Sequence, residues 1–187
     1  MNKNRMIALA ACMAATLDAS AQEQEIRLFS HRGGRMEHDE NTLSAFQASY
    51  DAGYRGFETD IRMTRDGALV ITHDSSLERT TDGTGTVEEK TEAEIRRLRT
   101  KQGNKVLFLD ELLEFLEGKE GLYVEFEMKT KPEALYPEER LHAYCDKLYD
   151  AVMAVKPADA TFVFTSGDYR GLRYLQAKHP GVDLLLI

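Results

Sequence analysis

Apolar positions in this chain recur with two periods, one of strands and one of helices. Short runs rich in aliphatic and aromatic residues predict strands at Ile26 to Ser30, Gly56 to Met63, Ala68 to His73, Leu122 to Lys129, Thr161 to Thr165 and Val182 to Ile187. Between most of them the spacing is helical: Leu43, Phe46 and Tyr50 share one face, and Leu141, Tyr144, Cys145, Leu148, Val152 and Val155 form a longer stripe. These stripes predict buried core, and strand-helix alternation predicts an α/β fold. Thr91 with Glu94 forms a capping box for a helix through Leu98, and Asp110 is expected to cap Glu111 to Glu117 before Gly118 stops that helix. Ser75 to Asn104 reads as an excursion carrying one short helix.

One connection breaks the alternation. Only Thr64 to Gly67 separate two strands, too few residues for the crossover that parallel neighbours need, so Asp66-Gly67 predicts a tight hairpin. With those two residues as the turn, Arg65 faces Ala68 and Asp60 falls opposite His73. Directly paired residues have Cβ atoms about 5 Å apart.

The chain has 187 residues, 42% hydrophobic and 30% charged, the composition of an ordinary globular protein with one good core. Its start changes the picture. Lys3 and Arg5 precede an apolar run from Met6 to Leu17 and the small-residue pattern Ala19-Ser20-Ala21, so residues 1–21 are expected to be a cleaved signal peptide and 22–187 the single domain. Leu9-Ala10-Ala11-Cys12 offers lipoprotein processing as the minor alternative. The run is shorter than the roughly 20 residues of a membrane-spanning helix, and the rest of the sequence holds no candidate, so no integral membrane segment is expected in the mature chain.

Without the leader Cys145 is the only cysteine, which excludes an intramolecular disulfide; its helical spacing predicts a buried, inert thiol. The formal net charge of −8 argues against nucleic acid as a partner. An anionic substrate would need local cationic groups.

Those groups are concentrated between residues 31 and 74, where His31-Arg32-Gly33-Gly34, Glu40-Asn41-Thr42, Glu58-x-Asp60, Asp66-Gly67 and His73-Asp74 follow in order. Glu58 and Asp60 at i and i+2 share a strand face, as do Glu125, Glu127 and Lys129. Two carboxylates 4 Å apart repel by about 4 kcal/mol at an effective dielectric near 20, a conflict that a bound cation removes. All-oxygen ligation favours a hard divalent ion, Ca²⁺ or Mg²⁺. Two histidines can exchange protons near neutral pH. Arg32 can grip phosphate oxygens in a two-pronged fashion, and Lys129 adds a point charge where negative charge builds. Gly33 and Gly34 allow tight backbone passage, although a plain turn explains them equally.

This order and spacing, continued by Arg79-Thr80-Thr81 and Glu127-Met128-Lys129, resembles the glycerophosphodiester phosphodiesterase family of the PLC-like phosphodiesterase superfamily. The resemblance runs from about Leu28 to Lys129 and implies a TIM-type (β/α) barrel with its site at the C-terminal ends of the strands. Only six strands are predicted and Trp is absent, so the barrel is expected to be incomplete at its C-terminus. The resemblance implies Glu58, Asp60 and Glu127 as metal ligands; Glu125 competes for the third place, and Glu-x-Lys favours Glu127. It implies His31 and His73 as the acid/base pair, in an order left open, and Glu40 beside the substrate, with Arg32 and Lys129 on the phosphate. Asn41 or Thr42 serves the site or caps the next helix. Residue 39 departs from the family pattern, being Asp where Pro is common, and is expected to loosen its loop. His38, His142 and His179 are expected at the surface.

The function implied is metal-dependent hydrolysis of a small glycerophosphodiester, such as glycerophosphocholine, to sn-glycerol 3-phosphate and an alcohol by an exported, periplasmic or secreted enzyme. The alternatives are a sphingomyelinase-D-like phospholipase acting on intact lipids and a catalytically inactive binding module. Oligomeric state is left open.

Overall fold

The computed structural model describes residues 28–187. The expected signal peptide at residues 1–21, Cys12 and the predicted beginning of the first strand at Ile26 lie outside the described residues. Strands β1 (Phe29–His31), β2 (Gly56–Met63), β3 (Leu69–Ile71), β4 (Tyr123–Met128), β5 (Thr161–Ser166) and β6 (Asp183–Leu186) join in one sheet. Helices α1 (Leu43–Asp51), α2 (Glu92–Ile95), α3 (Leu109–Leu116), α4 (Glu138–Val155) and α5 (Tyr169–Lys178) intervene, with single 3-10 turns at Val87–Glu89 and Glu133–Leu135. The order β1-β2-β4-β5-β6 is parallel throughout, and β3 pairs antiparallel with β2.

Alternation along the strands divides the sheet into two faces. Phe57 and Ile61 of β2, Val124, Phe126 and Met128 of β4, and Phe162 and Phe164 of β5 are buried with Phe46, Leu112, Leu116, Leu148 and Leu175 from the helices. The opposite face carries Glu58, Asp60, Glu125 and Glu127, because β2 and β4 pair Glu58 with Glu125 and Asp60 with Glu127. A helix-covered face backing a face that gathers charged side chains is the arrangement of a (β/α) barrel, here an open arc of six strands among the described residues. Among those residues, no helix is long and apolar enough to cross a membrane.

A second, smaller core of Ala68, Val70, Leu77, Val87, Ile95, Val106 and Phe108 supports the excursion. The two cores meet at β3, whose Leu69 and Ile71 join the main core while Val70 joins the smaller one.

Several sequence expectations need correction. Helix α2 ends at Ile95 rather than Leu98, although its Thr91–Glu94 capping box forms. Asp110 is not the cap of α3: Phe108 occupies that place, and its N–H donates to the Glu111 side chain at 3.0 Å. Leu43 is 43% exposed, being the first residue of α1; the buried face of that helix is Ala45, Phe46 and Ser49.

The hairpin register is also shifted by one. Ile61 pairs with Ile71 and Met63 with Leu69, so three residues, Arg65, Asp66 and Gly67, form the loop. Gly67 is left-handed at φ 89°, and the Thr64 hydroxyl accepts from Ala68 N at 2.8 Å, which closes the loop one residue wider than a bare Asp-Gly turn. Asp60 therefore faces Thr72, whose N–H donates to the Asp60 carbonyl at 3.0 Å, and His73 lies beyond the end of β3.

Candidate active site

The segment after β1 turns back sharply. Arg32, Gly33 and Gly34 are all left-handed, with φ of 53°, 74° and 96°. A Cβ on Gly33 would stand 2.9 Å from the Ala45 side chain, so glycine is required both for its dihedral and for the close approach of α1. Ser49 of α1 donates to the Gly33 carbonyl at 3.0 Å, and Asn41 N–H closes the loop on the Arg32 carbonyl at 2.9 Å. Of the two candidates for capping α1, Thr42 does it, accepting from Ala45 N. Asn41, left-handed at φ 56°, instead turns its amide onto Asp60 Oδ2 at 2.8 Å. Asp39 does not loosen this loop: its carboxylate accepts from the Thr100 hydroxyl and from Asn104 Nδ2, the latter at 2.9 Å, and ties it to the excursion.

Glu58, Asp60 and Glu127 each direct a carboxylate oxygen to one place, all within 4.8 Å of one another. Glu58 and Asp60 are buried, and Glu58 Oε1 and Asp60 Oδ1 have no hydrogen-bond partner. Burial, with the Asp60 charge alongside, pushes the Glu58 carboxyl up to about 8. Orphaned carboxylate oxygens converging on one point, with a proton retained to relieve their repulsion, fit a hard divalent cation. Glu125 is outside the triad; it hydrogen-bonds Tyr123, and its carboxyl is raised, chiefly by burial. Lys129 Nζ stands at the rim, 2.7 Å from Glu127 Oε1 and 3.5 Å from Asp60 Oδ1.

His31, the last residue of β1, places Nε2 3.6 Å from Glu58 Oε2. Partial burial and the nearby Arg32 and Arg35 charges hold its imidazole below the ordinary value, which favours the neutral form. His73 lies close enough to His31 for its charge to add to that effect. Leaving β3 early lets its ring swing to Asp74, with Nδ1 2.6 Å from Oδ1. Arg79 is hydrogen-bonded to the other Asp74 oxygen and reaches both oxygens of Glu40 at 2.7 and 3.0 Å. Arg79, then His73, hold Asp74 down at about 2, and Arg79 and Arg32 keep Glu40 below the ordinary carboxylate value. Arg32 is buried; its guanidinium lies 3.3 Å from both Glu40 Oε1 and Asp60 Oδ2.

The fold thus brings His31, Arg32, Glu40, Glu58, Asp60, His73, Glu127 and Lys129 to one end of the sheet. Sequence reasoning did not assign Asp74, the ring partner of His73, or Arg79, the link to Glu40; their adjacency to the motifs was the available signal. It also missed Arg62, which shares the charged face with Asp60. Cys145 is buried, as its spacing predicts, and burial raises its thiol to about 12. His142 and His179, expected at the surface, are partly covered by stacking on Tyr174 and Tyr149 at 3.9 and 3.6 Å.

Comparison with known proteins finds relatives in sequence and in fold. A glycerophosphodiester phosphodiesterase of Caldanaerobacter subterraneus subsp. tengcongensis is 36% identical over 123 residues, covering 61% of this chain and 50% of its own length. One of Bacillus altitudinis is 31% identical over 111 residues, covering 56% and 45% respectively. The chain therefore spans about half the length of these curated relatives. Among solved structures, an Oleispira antarctica phosphodiesterase in complex with the product sn-glycerol-3-phosphate superposes with a TM-score of 0.76 at 26% identity, covering 86% of this chain and 65% of that one. The glycerophosphodiester phosphodiesterase of Agrobacterium tumefaciens gives 0.69 at 28% identity, covering 86% and 66%. The sequence model of the glycerophosphoryl diester phosphodiesterase family matches residues 31–187, from the histidine that ends β1 onward, and the chain belongs to that family.

Proposed function

We propose that this protein hydrolyses small glycerophosphodiesters to sn-glycerol 3-phosphate and an alcohol, using a divalent cation, Ca²⁺ or Mg²⁺, held by Glu58, Asp60 and Glu127. The observation that carries the reading is the convergence of these three carboxylates within 4.8 Å, with two oxygens orphaned, beside His31 and within reach of Lys129. When bound, the cation would polarise the phosphoryl oxygens and offset their charge.

The chain's own groups do the rest. One of His31 and His73 takes the proton from the attacking oxygen, of water or of the neighbouring glycerol hydroxyl, as the new P–O bond forms. The other gives a proton to the alkoxide as the old P–O bond breaks. The lowered His31 favours the neutral imidazole that can accept a proton, while the Asp74 contact fixes the His73 ring. Lys129 and Arg32 supply positive charge for the equatorial oxygens, and Glu40, held by Arg32 and Arg79, borders the substrate. Export through residues 1–21 and a single catalytic domain over 22–187 belong to the same proposal; the N-terminus of the mature protein tests the first.

The decisive experiment follows glycerol 3-phosphate release from glycerophosphocholine with Ca²⁺, with Mg²⁺ and with chelator, alongside His31→Ala and Glu58→Ala. Turnover is expected only with the cation and both side chains. Undiminished release in chelator would overturn the cation's role, and turnover confined to intact sphingomyelin or lysolipid would overturn the substrate class.

A further inference from the structure

Arg62 follows Asp60 by two residues on β2, so its side chain leaves the same face of the sheet. It is buried, the side chain being only 7% exposed. Its guanidinium makes four contacts: Nε donates to the His73 carbonyl at 2.9 Å, and Nη1 lies 2.8 Å from Glu88 Oε1, 3.2 Å from the Lys129 carbonyl and 3.4 Å from the Lys131 carbonyl. Glu88 is itself held on both oxygens, accepting from Ser75 Oγ at 2.7 Å and from Tyr136 Oη at 3.1 Å. The Tyr136 oxygen in turn accepts from Met63 N at 3.0 Å.

Two residues of the site, His73 beyond β3 and Lys129 beyond β4, therefore hang from one buried fork. His73 lies beyond the end of β3 at Ile71, and Lys129, just past the end of β4 at Met128, keeps one backbone bond to β2, its N–H donating to the Ile61 carbonyl at 3.0 Å while its own carbonyl turns to Arg62. A buried ion pair is often no more stabilising than an apolar pair of the same volume. What the guanidinium provides that an apolar side chain cannot is a rigid set of donors able to serve both carbonyls at once.

We infer that Arg62 is a positioning residue: anchored by Glu88, it sets the backbone from which His73 and Lys129 reach the reacting groups. The excursion contributes through Glu88 and Ser75. The inference rests on the roles proposed above for His73 and Lys129.

The test compares Arg62→Met, His73→Ala and the double variant for glycerol 3-phosphate release, and reads the His73 ring signals by NMR. In folded Arg62→Met, kcat is expected to fall about 100-fold, the effect of a displacement near 1 Å, with KM and cation binding close to wild type. The double variant is expected to lose less than the product of the two single losses, because the His73 part of the Arg62 effect is already gone in His73→Ala while the Lys129 part remains. The His73 signals shift. Losses that multiply, or folded Arg62→Met at wild-type kcat, would overturn the inference. Should Arg62→Met fail to fold, Arg62→Lys decides: it keeps the charge opposite Glu88 but cannot serve both carbonyls, so a smaller kcat loss with the same non-additivity is expected, and wild-type turnover overturns the idea. A wild-type protein that turns over no glycerophosphodiester counts against the proposed function instead; unshifted His73 signals in the Arg62 variant then count against the positioning role separately.

Discussion

The backbone N–H of Arg32 donates to a side-chain oxygen of Glu58 at 3.1 Å while also reaching the Glu58 carbonyl at 3.1 Å. A left-handed Arg32 makes this possible, at a cost of about 1–2 kcal/mol for a residue with a Cβ. Strain of this kind persists only where neighbours overdetermine the conformation, and here Asn41 N–H locks the Arg32 carbonyl. The result is a Glu58 carboxyl fixed on one oxygen, with Oε1 lacking a partner.

Glu58 makes the ion-free protein sensitive to pH. Its folded-state value, about 8, lies above the ordinary 4.5, so its contribution to stability is fully present below about 4.5 and is lost as pH rises through 8. Thermal unfolding in chelator is expected to shift to lower temperature across that window, and Glu58→Gln to flatten the dependence. Because a cation requires the ionised carboxylate, its binding at pH 7 should release close to one proton, measurable by calorimetry in buffers of different ionisation enthalpy. Cation uptake with no proton release would show that Glu58 is already ionised.

His73 and Asp74 act together. His73→Ala is expected to lower kcat by about 100- to 10,000-fold, the usual contribution of a general acid or base. Asp74→Asn leaves an acceptor for the Nδ1 contact, now 2.6 Å, but removes the carboxylate charge that faces the ring and pairs with Arg79, so a smaller loss is expected, with little change in cation affinity. Measured kcat values for the single and double variants check the coupling.

Asp39 serves as a latch between the loop before α1 and the excursion. Replacing it with Ala removes two hydrogen bonds to a carboxylate, an expected destabilisation of about 1–3 kcal/mol for a partly exposed site. Hydrogen exchange should quicken at the amides around residues 37–42, and activity should fall through displaced Glu40. Unchanged exchange there would show that the latch is not what orders the loop.

Gly33→Ala puts a Cβ 2.9 Å from the Ala45 side chain in a residue already at φ 74°. Dihedral strain and overpacking together are expected to cost about 2–4 kcal/mol. A denaturant midpoint equal to wild type would mean that the turn and α1 can separate freely.

Much of this molecule was legible before any coordinates. Period-two alternation placed β2 at Gly56–Met63 and predicted that Glu58 and Asp60 share a face, since side-chain direction along a strand depends only on neighbouring residues. Helical spacing marked Leu141, Tyr144, Cys145 and Leu148 as core for the same reason, and all four are buried. The motif order from His31 to Lys129 pointed to the family.

What local pattern could not decide is how distant segments meet. Asp66-Gly67 signalled a hairpin, yet the Thr64 hydroxyl widened its loop and moved Asp60 from His73 to Thr72. Asn41 on Asp60, Arg79 on Glu40 and Arg62 on the carbonyls of His73 and Lys129 join residues remote in sequence. Sequence alone determined where the main strands and helices lie and which positions along β2, β4 and α4 share a face, because those follow from the chirality and pitch of a few consecutive residues. Tertiary structure decided register and partnership, because long-range hydrogen bonds and burial are settled only when the strands have joined in one sheet and the helices have packed on it.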